Sequence, residues 1–316
     1  MRAFVTGATG FLGGRLAAKL RARGDEVIAL VRDPERGARL DAELVQGDLS
    51  DRARLAEQMR GSDAVFHAAA MYEIGIPPSR RPAMFEANVR GTEHVLDAAV
   101  DARVRRIVYV STINAFGNTR GRVVDETAGR VDPAYVSTYD ETKYLAHEAA
   151  RERIARGAPV TIVQPGAIYG PGDHSELGAQ LDRARRGRLL FLALADVGVN
   201  AVHVDDAADG ILLAHDRGRP GEPYVLGGEI TMLRDLVETI SRLAGRRPPR
   251  LELPAALLRL AIPLGPVVGR VMGTGPNLRE LIASGDGVTY WASDEKARRE
   301  LGYAPRSAAE GLRTLL

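Results

Sequence analysis

Residues 6–13 read TGATGFLG, and this glycine-rich stretch decides the fold of the chain. The residues before it, Arg2–Thr6, form a short apolar run typical of a strand buried on both faces of a parallel sheet. A helical pattern follows at 11–23. The order of strand, glycine turn and helix predicts the first half of a βαβ unit.

The glycine turn has the residues that a phosphate group needs. Gly7 permits the tight turn, Gly10 lets the backbone approach the phosphate, and Gly13 lets the helix pack closely on the sheet. The amides of Phe11 and Leu12 stand at the helix N-terminus, where the helix dipole favours an anion. Because the strand and the helix flank the glycines in the right order, the turn predicts a dinucleotide pyrophosphate site.

The alternation of apolar runs and helical patterns continues to residue 164. Strands are expected at 27–31, 43–46, 64–68, 107–111 and 160–164, and helices at 51–60, 82–102 and 136–156. This pattern predicts an α/β fold with a doubly wound parallel Rossmann sheet formed by residues 1–164.

After Pro165 the pattern changes to short strands and more numerous helices. Strands are expected at 189–192, 201–204 and 224–226, and helices at 205–216, 231–244, 254–262, 276–284 and 307–315. We interpret 165–316 as a smaller, mostly helical substrate lobe, from which the chain returns to the first domain near 200–217. Apolar residues of this lobe suit either a substrate pocket or ordinary core packing, namely Leu257, Leu258, Leu260, Ile262, Val267, Val268 and Met272.

Composition narrows the function classes. The chain has 43 basic and 41 acidic residues among 316, which argues against a general nucleic-acid-binding surface. With no cysteine, disulfides and thiolate metal sites are excluded, and we expect no metal. Charged residues and prolines interrupt the apolar stretch at 253–272, so we expect no membrane partner and a cytoplasmic location.

The end of the second strand bears on the choice of dinucleotide. An acidic residue there binds the ribose 2′-hydroxyl of NAD, whereas an arginine accommodates the 2′-phosphate of NADP. Val31 occupies the position of the acid and Arg32 follows it, which favours NADP. Asp33 is the rival, because a shift of two residues would let it contact the ribose of NAD.

The ends of the third and fourth strands suit the rest of the cofactor. Asp48 and Leu49 would hold the adenine, although Asp48 could equally cap the next helix. Three small residues that leave room for the cofactor follow the fourth strand, namely Ala68, Ala69 and Ala70. His67 just before them is interpreted as a packed structural residue.

Tyr139 and Lys143 lie four residues apart at the start of a predicted helix, so they share one helix face. A nearby ammonium favours the phenolate and lowers the pKa of a tyrosine, which makes the phenol a general acid or base. The chain has only three lysines, so this pairing is unusual. Thr112, at the end of the fifth strand, supplies a hydroxyl that can polarise a substrate oxygen.

Together these motifs resemble the extended short-chain dehydrogenases/reductases of the NAD(P)-dependent epimerase/dehydratase superfamily. The resembling stretches are TGATGFLG, GDL, VFHAAA, NVRGT, VYVST, YDETK, QPGAIYGPGD and VHVDD, which span most of the chain. The VRDP stretch and the YWASD stretch at 290–294 are similar to dihydroflavonol-reductase-like and 3β-hydroxysteroid-dehydrogenase-like members.

The resemblance implies specific roles. Tyr139 is the implied acid/base, Lys143 binds the nicotinamide ribose, and Thr112 rather than Ser111 is the substrate-side hydroxyl. Asn88 is implied to support the site. The resemblance also implies that the backbone around Pro165 and Ile168 meets the nicotinamide, and that helices 82–102 and 136–156 pair two subunits into a homodimer.

The family contains both reductases and sugar-nucleotide epimerases or dehydratases, so the resemblance alone does not choose the reaction. We expect NAD(P)H-dependent reduction of an aldehyde or ketone to an alcohol, or the reverse; a sugar-nucleotide epimerase or dehydratase holding NAD is the alternative. By position, five residues are expected to meet the substrate, namely Met71, Tyr72, Asn114, Tyr169 and His174.

Overall fold

The computed structural model describes residues 1–265 and 275–316. Its centre is a seven-stranded sheet in which every neighbouring pair is parallel, in the order β10-β6-β5-β4-β1-β2-β3. The strands are β1 Arg2–Thr6, β2 Glu26–Val31, β3 Glu43–Gln46, β4 Ala64–His67, β5 Arg106–Val110, β6 Val160–Pro165 and β10 Pro223–Leu226. The predicted doubly wound α/β fold is confirmed, but its edge strand β10 comes from the region that was assigned to the substrate lobe.

Helices cover both faces of this sheet. The first ten are α1 Phe11–Ala22, α2 Pro34–Gly37, α3 Arg52–Met59, α4 Arg81–Phe85, α5 Gly91–Asp101, α6 Thr138–Ala155, α7 Glu176–Arg185, α8 Val204–Arg217, α9 Leu233–Leu243 and α10 Ala255–Leu260. Leucines of α1 and α8 pack on one face, whereas α3, α5 and α6 pack on the other. The ion pairs Arg15–Asp205 and Lys19–Asp209 join α1 to α8. The chain, which leaves the central sheet after β6, therefore returns to it at α8.

The second lobe has two small sheets and further helices. Strand β9, Gly198–His203, pairs with β7, Ala167–Tyr169, and with β11, Glu229–Met232, while β8, Phe191–Ala193, pairs with β12, Leu251–Leu253. The last three helices are α11 Leu278–Ala283, α12 Glu295–Leu301 and α13 Ala308–Arg313. Sequence periodicity missed α7 and α12, which are short and mostly polar.

The apolar residues for which a pocket and core packing were both considered are only partly buried in the described part of the lobe. Leu257 and Leu260 of α10 are 55% and 77% exposed. Val267, Val268 and Met272 lie outside the described residues. Core packing, the alternative to a pocket, is therefore wrong for Leu257 and Leu260, which face solvent, whereas Leu258 and Ile262 are half-buried.

The predicted helix at 82–102 is interrupted. It consists of α4, a π-helical turn at Glu86–Arg90, and α5. Asn88 lies in the π turn, and its side chain accepts from Met71 N at 2.6 Å and donates to Met71 O at 3.0 Å. The Asn88 amide also donates to the Thr142 hydroxyl at 3.1 Å, so this one side chain ties the end of β4 to α6.

A buried ion pair fixes the start of α6. Arg130, in the loop before the helix, contacts both oxygens of Asp140 at 3.1 and 2.6 Å, and both side chains are buried. Its guanidinium also lies 4.5 Å from the Tyr135 ring centre and 5.1 Å from that of Tyr144. Burial raises the pKa of the Asp140 carboxyl, and the Arg130 guanidinium opposes that shift.

Replacing Arg130 with glutamine should destabilise the protein by about 3 kcal/mol, because Asp140 is left buried without its charge partner. Urea denaturation followed by circular dichroism measures this. Arg120→Gln is the matched control, since the Arg120–Asp132 pair lies in the same loop but the arginine is 64% exposed. That change should cost less than about 1 kcal/mol. Equal losses for the two variants would contradict a special role for the buried pair.

Candidate active site

The glycine turn leaves room for a phosphate group at the start of α1. Gly7 has a φ of +79°, and a Cβ there would lie 2.7 Å from Ala69 N and 2.8 Å from the Ala68 carbonyl carbon. A Cβ on Gly13 would lie 2.1 Å from the Gly7 oxygen. Gly10 precedes the first helical residue, and no side chain of the described residues caps that turn. The amides of residues 11 and 12 thus fit a pyrophosphate.

Arg32 and Asp33, which follow β2, differ in the partners of their charged groups. Val31 is buried, whereas Arg32 is exposed and its guanidinium has no ion pair within residues 1–265 and 275–316. The Asp33 carboxylate accepts from Glu35 N at 3.0 Å and caps α2. The rival carboxylate is therefore engaged by its own helix, while the guanidinium stays open to an anion.

The Asp48 side chain holds a local turn. Its carboxylate accepts from Ser50 N at 2.8 Å and from the Ser50 hydroxyl, and these hydrogen bonds lower the pKa of Asp48. The cap of α3 is instead Asp51. Leu49 is half-buried, and its carbonyl accepts from the His94 ring at 2.9 Å. The helix-cap alternative for Asp48 is therefore wrong, and its adenine role stays a prediction.

His67 is buried beneath the three alanines, of which Ala68 and Ala69 are half-buried and Ala70 is exposed. Its two ring nitrogens lie 2.8 Å from the Thr6 hydroxyl and 3.0 Å from the Thr92 hydroxyl. Burial lowers the pKa of His67 to about 3, so the ring is neutral at physiological pH. This agrees with its interpretation as a structural residue.

Tyr139 and Lys143 lie buried on the same side of α6, which Ser137 caps by accepting from Asp140 N. The Lys143 ammonium donates to the Val110 carbonyl at 3.1 Å, at the end of β5. Burial lowers the pKa of Lys143 to about 8. The lysine thus anchors the helix face to the strand that ends at the substrate-side hydroxyl.

Burial has the largest effect on the pKa of the Tyr139 phenol. Burial raises the pKa of Tyr139 above its ordinary value, and the neighbouring Tyr72 and Tyr109 raise it further. Interaction with the Thr112 hydroxyl works in the opposite direction. The net direction is opposite to the prediction that the nearby ammonium lowers this pKa, because burial disfavours the charged forms of both the phenol and the amine.

The hydroxyls of Ser111 and Thr112 point to different partners. The Ser111 hydroxyl lies 3.0 Å from the ring of buried His147 on α6. The Thr112 hydroxyl donates to Asn114 Oδ1 at 3.1 Å and interacts with the Tyr139 phenol. Ser111 is thus engaged by His147, whereas Thr112 is the hydroxyl that opposes the raised pKa of Tyr139.

Three of the five expected substrate residues lie at this site. The Tyr72 ring meets the Tyr139 ring edge-on, with centroids 4.8 Å apart, and Tyr72 is 53% exposed. Met71 belongs to the small apolar cluster around Tyr139, together with buried Ile76 and Met84. Asn114 lies next to Thr112, whose hydroxyl donates a hydrogen bond to the Asn114 Oδ1. The phenol therefore stands between an apolar wall and an aromatic ring that faces solvent.

The other two expected substrate residues have different surroundings. Tyr169 is buried in the second lobe, where its hydroxyl donates to Ala308 O at 3.3 Å and its ring packs on His203. Placing it at the substrate was wrong, because its strand turns the side chain into that core. His174 is exposed on the loop before α7.

Pro165 and Ile168 lie on either side of Gly166, where the backbone passes very close to the backbone of Asn200. Pro165 ends β6, and Ile168 lies half-buried in β7 opposite Val202. A Cβ on Gly166, between them, would lie 2.1 Å from the Asn200 oxygen. The backbone leaves the sheet here, beside the end of β5.

Tyr290 was missed as a site residue. It is half-buried beside the apolar cluster of Ile113 and Phe116. Burial raises the pKa of Tyr290, and Asp140 and Tyr72 raise it further, so it belongs to the same aromatic surround. Its loop is bound through the Thr119 hydroxyl, which donates to Thr289 O at 3.0 Å, a contact across 170 residues that no local pattern signals.

Comparison with known proteins identifies the family. Residues 3–227 match the NAD dependent epimerase/dehydratase family. The chain is 34% identical, over 97% of its length and 92% of the relative, to the 4-hydroxy-2-methyl-3-oxo-4-farnesyl-3,4-dihydroquinoline-1-oxide ketoreductase of Stigmatella aurantiaca. It is 32% identical to a putative dihydroflavonol 4-reductase of Synechocystis, over 98% of the chain and 92% of the relative.

Comparison with solved structures supports the same family. The crystal structure of gox2253 is similar with a TM-score of 0.80 and 35% identity, over 98% of this chain and 95% of that one. MoeE5 in complex with UDP-glucose and NAD gives a TM-score of 0.77 and 25% identity, over 99% and 97%. The chain belongs to the NAD dependent epimerase/dehydratase family and is an oxidoreductase of the extended short-chain dehydrogenase/reductase type.

Proposed function

We propose that the protein reduces the carbonyl group of a small, largely apolar aldehyde or ketone with NADPH, or oxidises the corresponding alcohol. The observation that carries this proposal is the burial of the Tyr139 phenol in an apolar surround, on the helix that Lys143 fixes to the end of β5 just before Thr112. Two hydroxyls at one point suit a single substrate oxygen. The ketoreductase relative, whose named substrate carries a farnesyl chain, supports the same reaction class.

The proposed chemistry uses the phenol as an acid. The nicotinamide, when bound, supplies the hydride that adds to the carbonyl carbon. Thr112 and Tyr139 hold the carbonyl oxygen, and Tyr139 gives it the phenolic proton as negative charge develops there. Because burial raises the pKa of Tyr139, the phenol is protonated at neutral pH and ready to donate.

Lys143 has two roles in this proposal. Its ammonium, fixed on the Val110 carbonyl, would hold the nicotinamide ribose. Its positive charge would also stabilise the phenolate left after proton transfer. With a pKa of about 8, the lysine can pass a proton back towards Tyr139 without a large uphill step.

The preference for NADPH rests on Arg32 and Asp33. The exposed guanidinium is free to meet a 2′-phosphate, whereas the carboxylate that would favour NAD is used by the cap of α2. A fork-shaped guanidinium suits a phosphate better than a ribose hydroxyl.

A second candidate is a sugar-nucleotide epimerase or dehydratase, which the similarity to MoeE5 in complex with UDP-glucose and NAD favours. Two measurements separate the candidates. A panel of aldehydes and ketones, followed at the NADPH absorbance band, should show net consumption for a reductase. An epimerase should instead release NAD on denaturation and convert UDP-glucose without net cofactor consumption.

Tyr139→Phe should lower kcat by about 10²–10⁴-fold, because the proton donor is lost, and should change NADPH affinity by less than about twofold. Steady-state kinetics and cofactor titration measure the two effects. Tyr72→Phe is the control, since it removes a hydroxyl from the neighbouring ring and keeps the edge-on contact. Full turnover in Tyr139→Phe would remove the phenol from its proposed role.

Arg32→Gln should raise the KM for NADPH by about 10–100-fold and leave the KM for NADH nearly unchanged, because a charge-assisted contact to the 2′-phosphate is lost. Arg105→Gln, at another exposed arginine before β5, should change neither value. An unchanged preference for NADPH in Arg32→Gln would contradict this assignment.

A further inference from the structure

One edge of the second lobe carries arginines and leucines that face solvent. Strands β8 and β12 run parallel with Phe191 opposite Leu251, and a Cβ on Gly187 would lie 3.3 Å from the Arg246 side chain. The segments 186–190 and 246–251 therefore lie side by side. Beside Arg186, which pairs with Asp182, we call the other exposed arginines and leucines of these segments the Arg/Leu edge, namely Arg188, Leu190, Arg246, Arg247, Arg250 and Leu251.

The positive charge of this edge is not compensated within the described chain. The guanidinium groups of its four arginines have no hydrogen bond or ion pair among residues 1–265 and 275–316. The acids nearby are already paired with other arginines. These pairs are Asp182 with Arg185 and Arg186, and Asp196 and Glu252 with Arg234.

The edge is also apolar. Leu190 is 81% exposed and Leu251 is 56% exposed. The chain then leads from β12 into α10 and the turn after it, where Leu257, Leu260 and Leu264 are 55%, 77% and 60% exposed. The exposed Leu190 and Leu251 lie on paired strands, and exposed leucines grouped in this way mark a surface that contacts something other than water.

We propose that the Arg/Leu edge docks the protein on the surface of a membrane that is rich in anionic lipid. Arginines next to exposed leucines match the boundary between anionic headgroups and acyl chains. A nucleic acid would match the arginines but leave the leucines in water. A second copy in a two-fold contact would bring the unpaired arginines together, which is unfavourable.

This docking goes beyond the proposed function and does not depend on it. Within residues 1–265 and 275–316, every helix is too short or too polar to cross a bilayer. The proposal departs from the expectation of no membrane partner, which rested on the charges and prolines that interrupt residues 253–272. Binding at the surface requires no span, and it would bring the enzyme to apolar substrates that dissolve in lipid.

Co-sedimentation of the purified full chain with vesicles tests the proposal. The protein should bind phosphatidylserine-rich vesicles and bind pure phosphatidylcholine vesicles far less, and added salt should weaken the binding. The double variant Arg246→Gln/Arg250→Gln should bind about 25-fold more weakly, at about fivefold per arginine. Leu190→Ser/Leu251→Ser should lose about tenfold.

The control is Arg105→Gln/Arg313→Gln, which removes two exposed arginines outside the edge and gives the same net charge. It should bind within about twofold of the wild type. Equal loss in both arginine pairs, or equal binding to both vesicle types, would overturn the proposal. Light scattering that shows a wild-type dimer and a monomeric Arg246/Arg250 variant would overturn it too, since the edge would then be a subunit contact. Each variant should keep the wild-type melting temperature.

Discussion

The site depends on the attachment of the first two turns of α6 to the end of β5. Lys143 donates to the Val110 carbonyl, and the Asn88 amide donates to Thr142 on the same helix. The buried Arg130–Asp140 pair fixes the first turn from the loop side. These attachments leave the Tyr139 phenol little freedom, so its position relative to Thr112 follows from the packing of the helix on the sheet.

The same burial that fixes the phenol also sets its protonation. A phenol in an apolar surround keeps its proton, and an amine in the same surround gives its proton up more readily. The pKa of Tyr139 is raised and that of Lys143 falls to about 8. In the proposed reaction, the fold thereby holds a proton donor and the source of its replacement proton on one helix face.

Local sequence patterns predicted the structural features that nearby residues determine. They missed the features that depend on residues far apart in the chain. The glycine turn and the Tyr139–Lys143 spacing were readable because a turn and a helix face are set within a few residues. The helix-cap alternative for Asp48 was wrong because Asp51, three residues on, caps α3. Tyr169 and Tyr290 were misjudged because contacts with Ala308 and between Thr119 and Thr289 decide which core each one joins.

The proposed function requires that Tyr139 and Thr112 act on one substrate oxygen beside the nicotinamide. A crystal structure of the complex with NADP⁺ and a bound alcohol tests this most directly. We expect the Tyr139 Oη and the Thr112 Oγ1 both to lie within about 3.2 Å of the alcohol oxygen, with the Lys143 ammonium on the nicotinamide ribose. A complex in which the Tyr139 hydroxyl lies far from the ring, with its oxygen bonded elsewhere, would contradict the proposal.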